Sequence, residues 1–195
     1  MKRKRSIAIT GGIGSGKSYV CQLLEKRGIR VYDCDEAAKR LMRTSEELQS
    51  QLTSLVGDSL YINKVLQKRV LASFLLASEA NKQAVNSLVH PAVAKDFLQS
   101  PCEWLESAIL FESGFYKRVH FDFIISVTAP EEVRMKRIME RDGIPEQQVL
   151  EWIRCQMPQE EVARQSDFVI VNDGSADLEK QLDDLMNRIQ KTVKQ

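Results

Sequence analysis

The sequence predicts an α/β fold: a parallel sheet flanked by helices, carrying a helical insertion and a helical lid. Three observations predict it. A short apolar run, Ser6-Ile7-Ala8-Ile9-Thr10, leads directly into a glycine-rich turn, and an amphipathic stretch and a second apolar run follow. Strand, turn, helix, strand in that order is the signature of a parallel α/β sheet. Next, from about Asp35 to Ser100, Gly57 is the only glycine and Pro91 the only proline, while leucines and valines recur at helical spacing. Last, three further apolar runs follow, with a charge-rich stretch between the second and third.

Each element has its own justification. Ser6–Thr10 reads as a buried strand. Tyr19 to Arg27 reads as a helix, with Val20, Leu23 and Leu24 on one face and Gly28 where a C-cap belongs. Arg30–Asp33 reads as the second strand. In the 35–100 segment, Leu71, Leu75 and Leu76, then Val85, Leu88 and Val89, keep helical spacing, so the segment is read as a helical insertion. Ser107–Phe111, Phe121–Val127 and Asp167–Val171 read as three more strands. Glu131 to Arg164 reads as helical, and Leu178 to Val193 as a closing amphipathic helix.

Composition narrows the class. Basic and acidic residues number 28 and 27, a balance that argues against a nucleic-acid binder. No apolar run approaches the ~20 residues that span a bilayer. The basic start Met1-Lys2-Arg3-Lys4-Arg5 precedes an apolar stretch too short for a secretion signal, and neither end carries a lipidation motif. Cys21, Cys34, Cys102 and Cys155 form no C-x-x-C pair and only two histidines exist, so neither a zinc site nor a disulfide framework is expected. Reduced thiols in a cytoplasmic protein are the simplest reading.

The strongest chemical signal is Gly11-Gly12-Ile13-Gly14-Ser15-Gly16-Lys17-Ser18, a complete G-x-x-x-x-G-K-S phosphate-binding loop, or P-loop. Its glycines let successive N–H groups turn toward phosphate oxygens, and the helix that follows adds its N-terminal dipole. Lys17 would reach the β- and γ-phosphates of ATP and Ser18 would ligate Mg²⁺. The fold is therefore that of a P-loop nucleoside-triphosphate-hydrolase-like core. Asp33-Cys34-Asp35 ends the second strand, where the ligand edge of a parallel sheet lies. Asp35 is read as the oxygen that takes a hydroxyl proton and Asp33 as a residue that positions metal or substrate; Asp35 as a helix N-cap is the competing reading, and one residue can do both. Arg134, Arg137 and Arg141 lie along one helix face, either as a lid over a triphosphate or as a solvated charged face. Glu112 after the third strand faces the ligand edge or serves a turn. Asn172-Asp173-Gly174 is explained by turn chemistry, with nucleotide contact as the weaker alternative. His90, before Pro91, reads as a helix-end residue within the insertion that should hold an acceptor.

In this order and spacing, the residues resemble the dephospho-CoA kinase family over nearly the whole chain. The resemblance rests on Ile9–Ser18, on Val31-Tyr32-Asp33-Cys34-Asp35 with Ala37, Ala38 and Arg40, and on Leu88-Val89-His90-Pro91. It continues through Ile109-Leu110-Phe111-Glu112-Ser113-Gly114, Ala129-Pro130-Glu131, Arg137, Arg141-Asp142, Gln156, Asp167 and Asn172. It implies a nucleotide-binding core over residues 1–34 and 101–195, with a lid at about 131–165, and a helical acceptor-binding domain over 35–100. It also implies transfer of the γ-phosphoryl group of ATP to the ribose 3′-hydroxyl of dephospho-CoA, the final step of coenzyme A synthesis. Asp35 is then the base, and Lys17 and Arg141 act with it. Gly12, Ile13, Gly14, Ser15, Gly16, Lys17, Ser18, Tyr19, Arg137 and Asn172 serve the nucleotide. Asp33, Asp35, Lys68, Arg69, His90 and Glu112 serve the acceptor. Tyr19 stands where the family usually has threonine, Ala108 where it often has proline, and Lys68 where it usually has arginine. The expected partner is the small-molecule acceptor alone, with no nucleic acid and no membrane; the sequence does not fix the oligomeric state, and a monomer is favoured. A nucleoside monophosphate or shikimate-type kinase and a nucleotide-sensing module are the rival readings.

Overall fold

The computed structural model describes residues 4–192. Met1, Lys2 and Arg3 of the basic start, and Val193 at the end of the expected closing helix, lie outside the described residues. The chain forms two compact units. One comprises the residues up to Tyr32, Cys102–Tyr116 and those from His120; the other comprises Asp33–Pro101 and Lys117–Val119. In chain order the first part is β1 (Ile7–Thr10), α1 (Lys17–Lys26) and β2 (Val31–Asp33). Then come α2 (Cys34–Thr44), α3 (Glu46–Val56), β3 (Tyr61–Ile62), β4 (Val65–Leu66), α4 (Lys68–Ala77) and α5 (Glu79–Gln99). The remainder is β5 (Trp104–Glu106), β6 (Phe123–Thr128), α6 (Glu131–Asp142), α7 (Glu146–Arg154), α8 (Gln159–Arg164), β7 (Phe168–Val171) and α9 (Leu178–Thr192).

The sheet runs in the order β2-β5-β1-β6-β7, and β1 pairs in parallel with both β5 and β6. The sequence explains why β1 is central. All four of its residues are buried, as a strand covered on both faces demands. Ile7, Ile9, Trp104, Ile125, Val127 and Ile170 pack with Val20, Leu23 and Leu24 of α1 and Leu182, Leu185 and Ile189 of α9. The outer strand β7 is closed by Gln181, whose side chain accepts from the Val171 N–H and donates to the Val171 carbonyl, both at 2.9 Å. An edge that would otherwise expose unpaired backbone is thereby blunted.

The third expected strand is displaced. Ser107–Phe111 is not a strand; β5 lies three residues earlier, with Ile7 opposite Trp104 and Ile9 opposite Glu106, and the chain turns after Ser107. The apolar run Ala108-Ile109-Leu110-Phe111 misled the reading: Leu110 and Phe111 are buried, but from within a turn. The stretch from Glu131 to Arg164 is helical as expected, but broken into α6, α7 and α8.

In the second unit α5 packs against α2, α3 and α4, with Leu48, Leu52, Leu60 and Phe97 fully buried. Two features depart from expectation. The insertion also contains the β3–β4 hairpin, whose turn residues Asn63 and Lys64 have φ of 49° and 64°. Positive φ at both central residues is the requirement of a tight hairpin turn, and asparagine meets it at low cost. Also, His90 is not at a helix end: Pro91 lies inside the 21-residue α5. Proline removes one N–H from the helix ladder, and packing of α5 on three neighbours outweighs that loss. Burial, and the nearby Arg118 guanidinium, hold the His90 imidazolium below its ordinary pKa.

Candidate active site

The P-loop connects the carboxyl end of β1 to α1. Gly16 is the N-cap of α1; it carries no side chain to cap the helix, and the first turn holds no acidic residue. Helix starts usually bind a Ser, Thr, Asp or Asn oxygen, and here no side chain supplies one. The N–H groups of Gly14, Gly16 and Ser18 have no protein acceptor among the described residues. The Ser15 hydroxyl is buried without a hydrogen-bond partner, and buried polar atoms are rarely left so. Lys17 is buried beside them. Amides, a cation and an orphaned hydroxyl around one turn fit a phosphate chain.

Residues far along the chain hold the loop from outside. Arg134 is buried, and its Nε donates to the Ile13 carbonyl at 2.9 Å. Burial lowers its pKa, against the opposing pull of Glu131 and Glu160. Arg137 donates to the Asn172 carbonyl at 3.0 Å and to the Asn172 Oδ1 at 3.2 Å, with longer contacts to the Gly14 and Ser15 carbonyls. Asn172 Nδ2 donates to the Ser15 carbonyl at 2.9 Å. The Ile13 N–H donates to Gln156 Oε1 at 2.7 Å, and the Met157 N–H to Glu112 Oε1 at 3.1 Å.

This arrangement revises three expectations. Arg134 and Arg137 do not line a solvated face; both bind the loop's carbonyls. Arg141, one turn on, is largely exposed and pairs with Asp142 at 2.7 Å. Asn172 is not explained by turn chemistry, because it is buried against the loop; Asp173 alone plays that part, accepting from the N–H groups of Ser175 and Ala176.

The packing also explains glycines that phosphate binding alone does not require. A Cβ on Gly14 would lie 2.7 Å from the Arg134 carbonyl, and its φ of 78° is left-handed. Gly14→Ala is therefore expected to destabilise the protein by on the order of 2–4 kcal/mol, from backbone strain plus overpacking. Denaturant unfolding followed by circular dichroism checks this; an unchanged midpoint would mean that α6 does not press on the loop.

One residue escaped the sequence reading. Glu106 Oε1 lies 3.8 Å from Lys17 Nζ, with side chains 15% and 10% exposed. It was missed because the strand was placed too late, which gave Glu112 the position at the strand tip. Beside the loop lies a groove of about 540 Å³ lined by Gly16, Tyr19, Arg137, Asn172, Gly174 and Leu178, among others. It brings together four residues assigned to the nucleotide from sequence, Gly16, Tyr19, Arg137 and Asn172. As for a divalent metal, no group of three or more His, Cys, Asp or Glu among the described residues could hold one unaided. Ser18 and Glu106 offer hard oxygens of the kind that share Mg²⁺ with substrate phosphates.

The acceptor candidates apart from Glu112 belong to the second unit. Asp33 ends β2 and caps α2, its Oδ1 accepting from the Glu36 N–H at 2.9 Å. The cap role considered for Asp35 thus falls to Asp33, and Asp35 sits exposed in the first turn of α2. Lys68 and Arg69 open α4, whose first turn has no acidic residue. His90 lies within α5.

The comparisons with known proteins agree with this geometry. The family pattern described as dephospho-CoA kinase matches residues 5–177. A dephospho-CoA kinase of Bacteroides fragilis is 41% identical over 187 residues, covering 92% of this chain and 90% of that protein. The crystal structure of TT1252 from Thermus thermophilus superposes with a TM-score of 0.78 at 34% identity, covering 96% of this chain and 98% of that one. A shikimate kinase from Acinetobacter baumannii, at 13% identity and TM-score 0.54, shares the fold alone. A loop shaped for a phosphate chain and a family match over most of the length together place this chain in the dephospho-CoA kinase family.

Proposed function

We propose that this chain transfers the γ-phosphoryl group of ATP to the ribose 3′-hydroxyl of dephospho-CoA, with the residues sharing the work as follows. Phosphoryl transfer from ATP in the last step of coenzyme A synthesis is the reaction of its family. The observation that carries the reading is the uncapped start of α1, with open amides and a buried Lys17 around it.

The amides of Gly14, Gly16 and Ser18 and the Lys17 ammonium hold the triphosphate. Tyr19, Arg137 and Asn172 border the groove that suits the nucleoside. Ser18 would hold Mg²⁺, which would supply neutralisation of the charge on the phosphates. Asp35 accepts the proton of the attacking hydroxyl, so that the nucleophile gains charge as the γ-phosphoryl departs in line from ADP. Exposure at the start of α2 leaves its carboxylate accessible. Asp33, His90 and Glu112 position the acceptor. Lys68 and Arg69 do so through charge: cations at a helix N-terminus are disfavoured by the dipole, and an anionic acceptor offsets that cost. Arg141 leaves Asp142 for the transferring phosphoryl group, which its exposed side chain makes inexpensive, while Arg134 and Arg137 of the same helix stay on the loop. The helical 35–100 segment is the acceptor domain.

The reading carries with it a monomer in the cytoplasm. No helix among the described residues is long and apolar enough to cross a membrane.

A panel of acceptors in an ADP-release assay tests the reading. Dephospho-CoA should support release, and shikimate and nucleoside monophosphates should not. Preference for one of those would transfer the protein to another kinase class. ATP binding with no acceptor-dependent release would make it a nucleotide sensor.

A further inference from the structure

Tyr19 sits in an unusual place for an aromatic residue. It is the third residue of α1, a helix whose other large apolar side chains, Val20, Leu23 and Leu24, are buried in the core, yet it is 51% exposed. Its hydroxyl has no hydrogen-bond partner among the described residues. Core packing therefore does not explain the ring. The ring borders the groove beside the phosphate loop, together with Leu23 one turn further on and with Leu178.

The polar side chains around that groove are already engaged. Asn172 Nδ2 donates to the Ser15 carbonyl at 2.9 Å, and its Oδ1 accepts from Arg137 at 3.2 Å. The Arg137 guanidinium is committed to Asn172 and to carbonyls of the loop. Asp177 accepts from the Lys180 N–H at 3.0 Å, and Glu179 is paired with Arg27. A base entering the groove meets an aromatic side chain and aliphatic carbons, and few side-chain groups left to read its edge.

We infer that the Tyr19 ring is the platform on which the base of the nucleoside triphosphate stacks, and that the protein therefore takes ATP and GTP with little distinction. The inference rests on the reading that residues 11–18 hold the triphosphate, and it adds which side chain holds the base and how. Stacking on an aromatic side chain tolerates any base, because every base has a π-face. Adenine and guanine differ in the donors and acceptors on their edges, not in having such a face. A site built to hydrogen-bond one edge rejects an analogue that cannot match it, whereas stacking alone separates the two purines weakly. The threonine usual at this position in the family has no ring, so the platform is a feature of this chain.

Calorimetric titration in Mg²⁺ tests this without acceptor or turnover. Wild type, Tyr19→Ala, Tyr19→Leu and Tyr19→Phe are titrated with ATP, GTP and inorganic tripolyphosphate, and folding is checked by thermal unfolding. In wild type, ATP and GTP should bind within about threefold of each other, and both more tightly than tripolyphosphate. Tyr19→Ala should weaken both nucleotides about tenfold and leave tripolyphosphate unchanged. Tyr19→Phe keeps the ring and should keep the affinity. Tyr19→Leu keeps apolar bulk without a π-face; it should lose most of what alanine loses, and it replaces the alanine form if that is unstable. Unchanged nucleotide affinity in Tyr19→Ala, or a wild-type preference of about tenfold or more for one purine, would overturn the inference and leave the triphosphate site intact. Equal weakening of tripolyphosphate and nucleotides would reduce Tyr19 to a support of the loop, which overturns the inference as well. Wild-type protein that binds neither nucleotide nor tripolyphosphate would overturn the triphosphate reading itself, and this inference with it.

Discussion

Asp35→Asn should lose about 10²–10⁴-fold in turnover, the contribution typical of a positioned general base, while ATP affinity stays within about threefold of wild type. Asparagine keeps the size and the hydrogen-bonding carbonyl of aspartate but cannot take up a proton at neutral pH. The two roles that Asp35 could play are separable because the helix cap belongs to Asp33, which bonds the Glu36 N–H. Exchange at Asp35 leaves that bond in place. If Asp35 served only as a favourable charge in the first turn of α2, the change would cost roughly 0.3–1 kcal/mol of stability and leave turnover alone. Steady-state kinetics with dephospho-CoA, together with ATP titration of the same variant, decides between them. Turnover at the wild-type level removes Asp35 from the chemistry.

Lys17→Ala should weaken ATP binding by about 10- to 100-fold, the worth of a charge-assisted hydrogen bond, and should lower turnover further. The added loss in turnover is expected because the ammonium is placed to follow charge onto the departing β-phosphate. The same change leaves Glu106 without its cation at 3.8 Å, so a stability loss accompanies it. Breaking a fully buried pair costs about 3–5 kcal/mol, and the slight exposure of this one brings the cost toward or below the lower figure. Adding Glu106→Gln should recover the stability and not the catalysis. Unfolding midpoints and single-turnover rates for the two single variants and the double variant measure both. Equal recovery of stability and turnover would mean that Lys17 acts only through the ion pair.

Different parts of this molecule were legible in the sequence to different degrees. The strand, loop and helix from Ile7 to Lys26 were readable because each rule involved is local: a buried apolar run, glycines at fixed offsets, and helical spacing after them. The arginine spacing on α6 correctly put Arg134 and Arg137 on one helix face. It could not tell whether that face met solvent or the phosphate loop, because Arg134 and Ile13 are 121 residues apart. The hairpin around Asn63-Lys64 was passed over because its strands are only two residues long.

By itself the sequence determined that a phosphate-binding turn follows the first strand, that a helical segment interrupts the sheet, and that the whole resembles one kinase family. Local backbone preference and residue spacing carry that much. Tertiary structure alone decided that Glu106, rather than Glu112, ends the strand beside β1. It also decided that Arg134, Arg137, Asn172 and Gln156 brace the loop from behind. The reason is that strand register and long-range hydrogen bonds are settled by which surfaces pack together, and one-dimensional spacing contains no record of neighbours a hundred residues away.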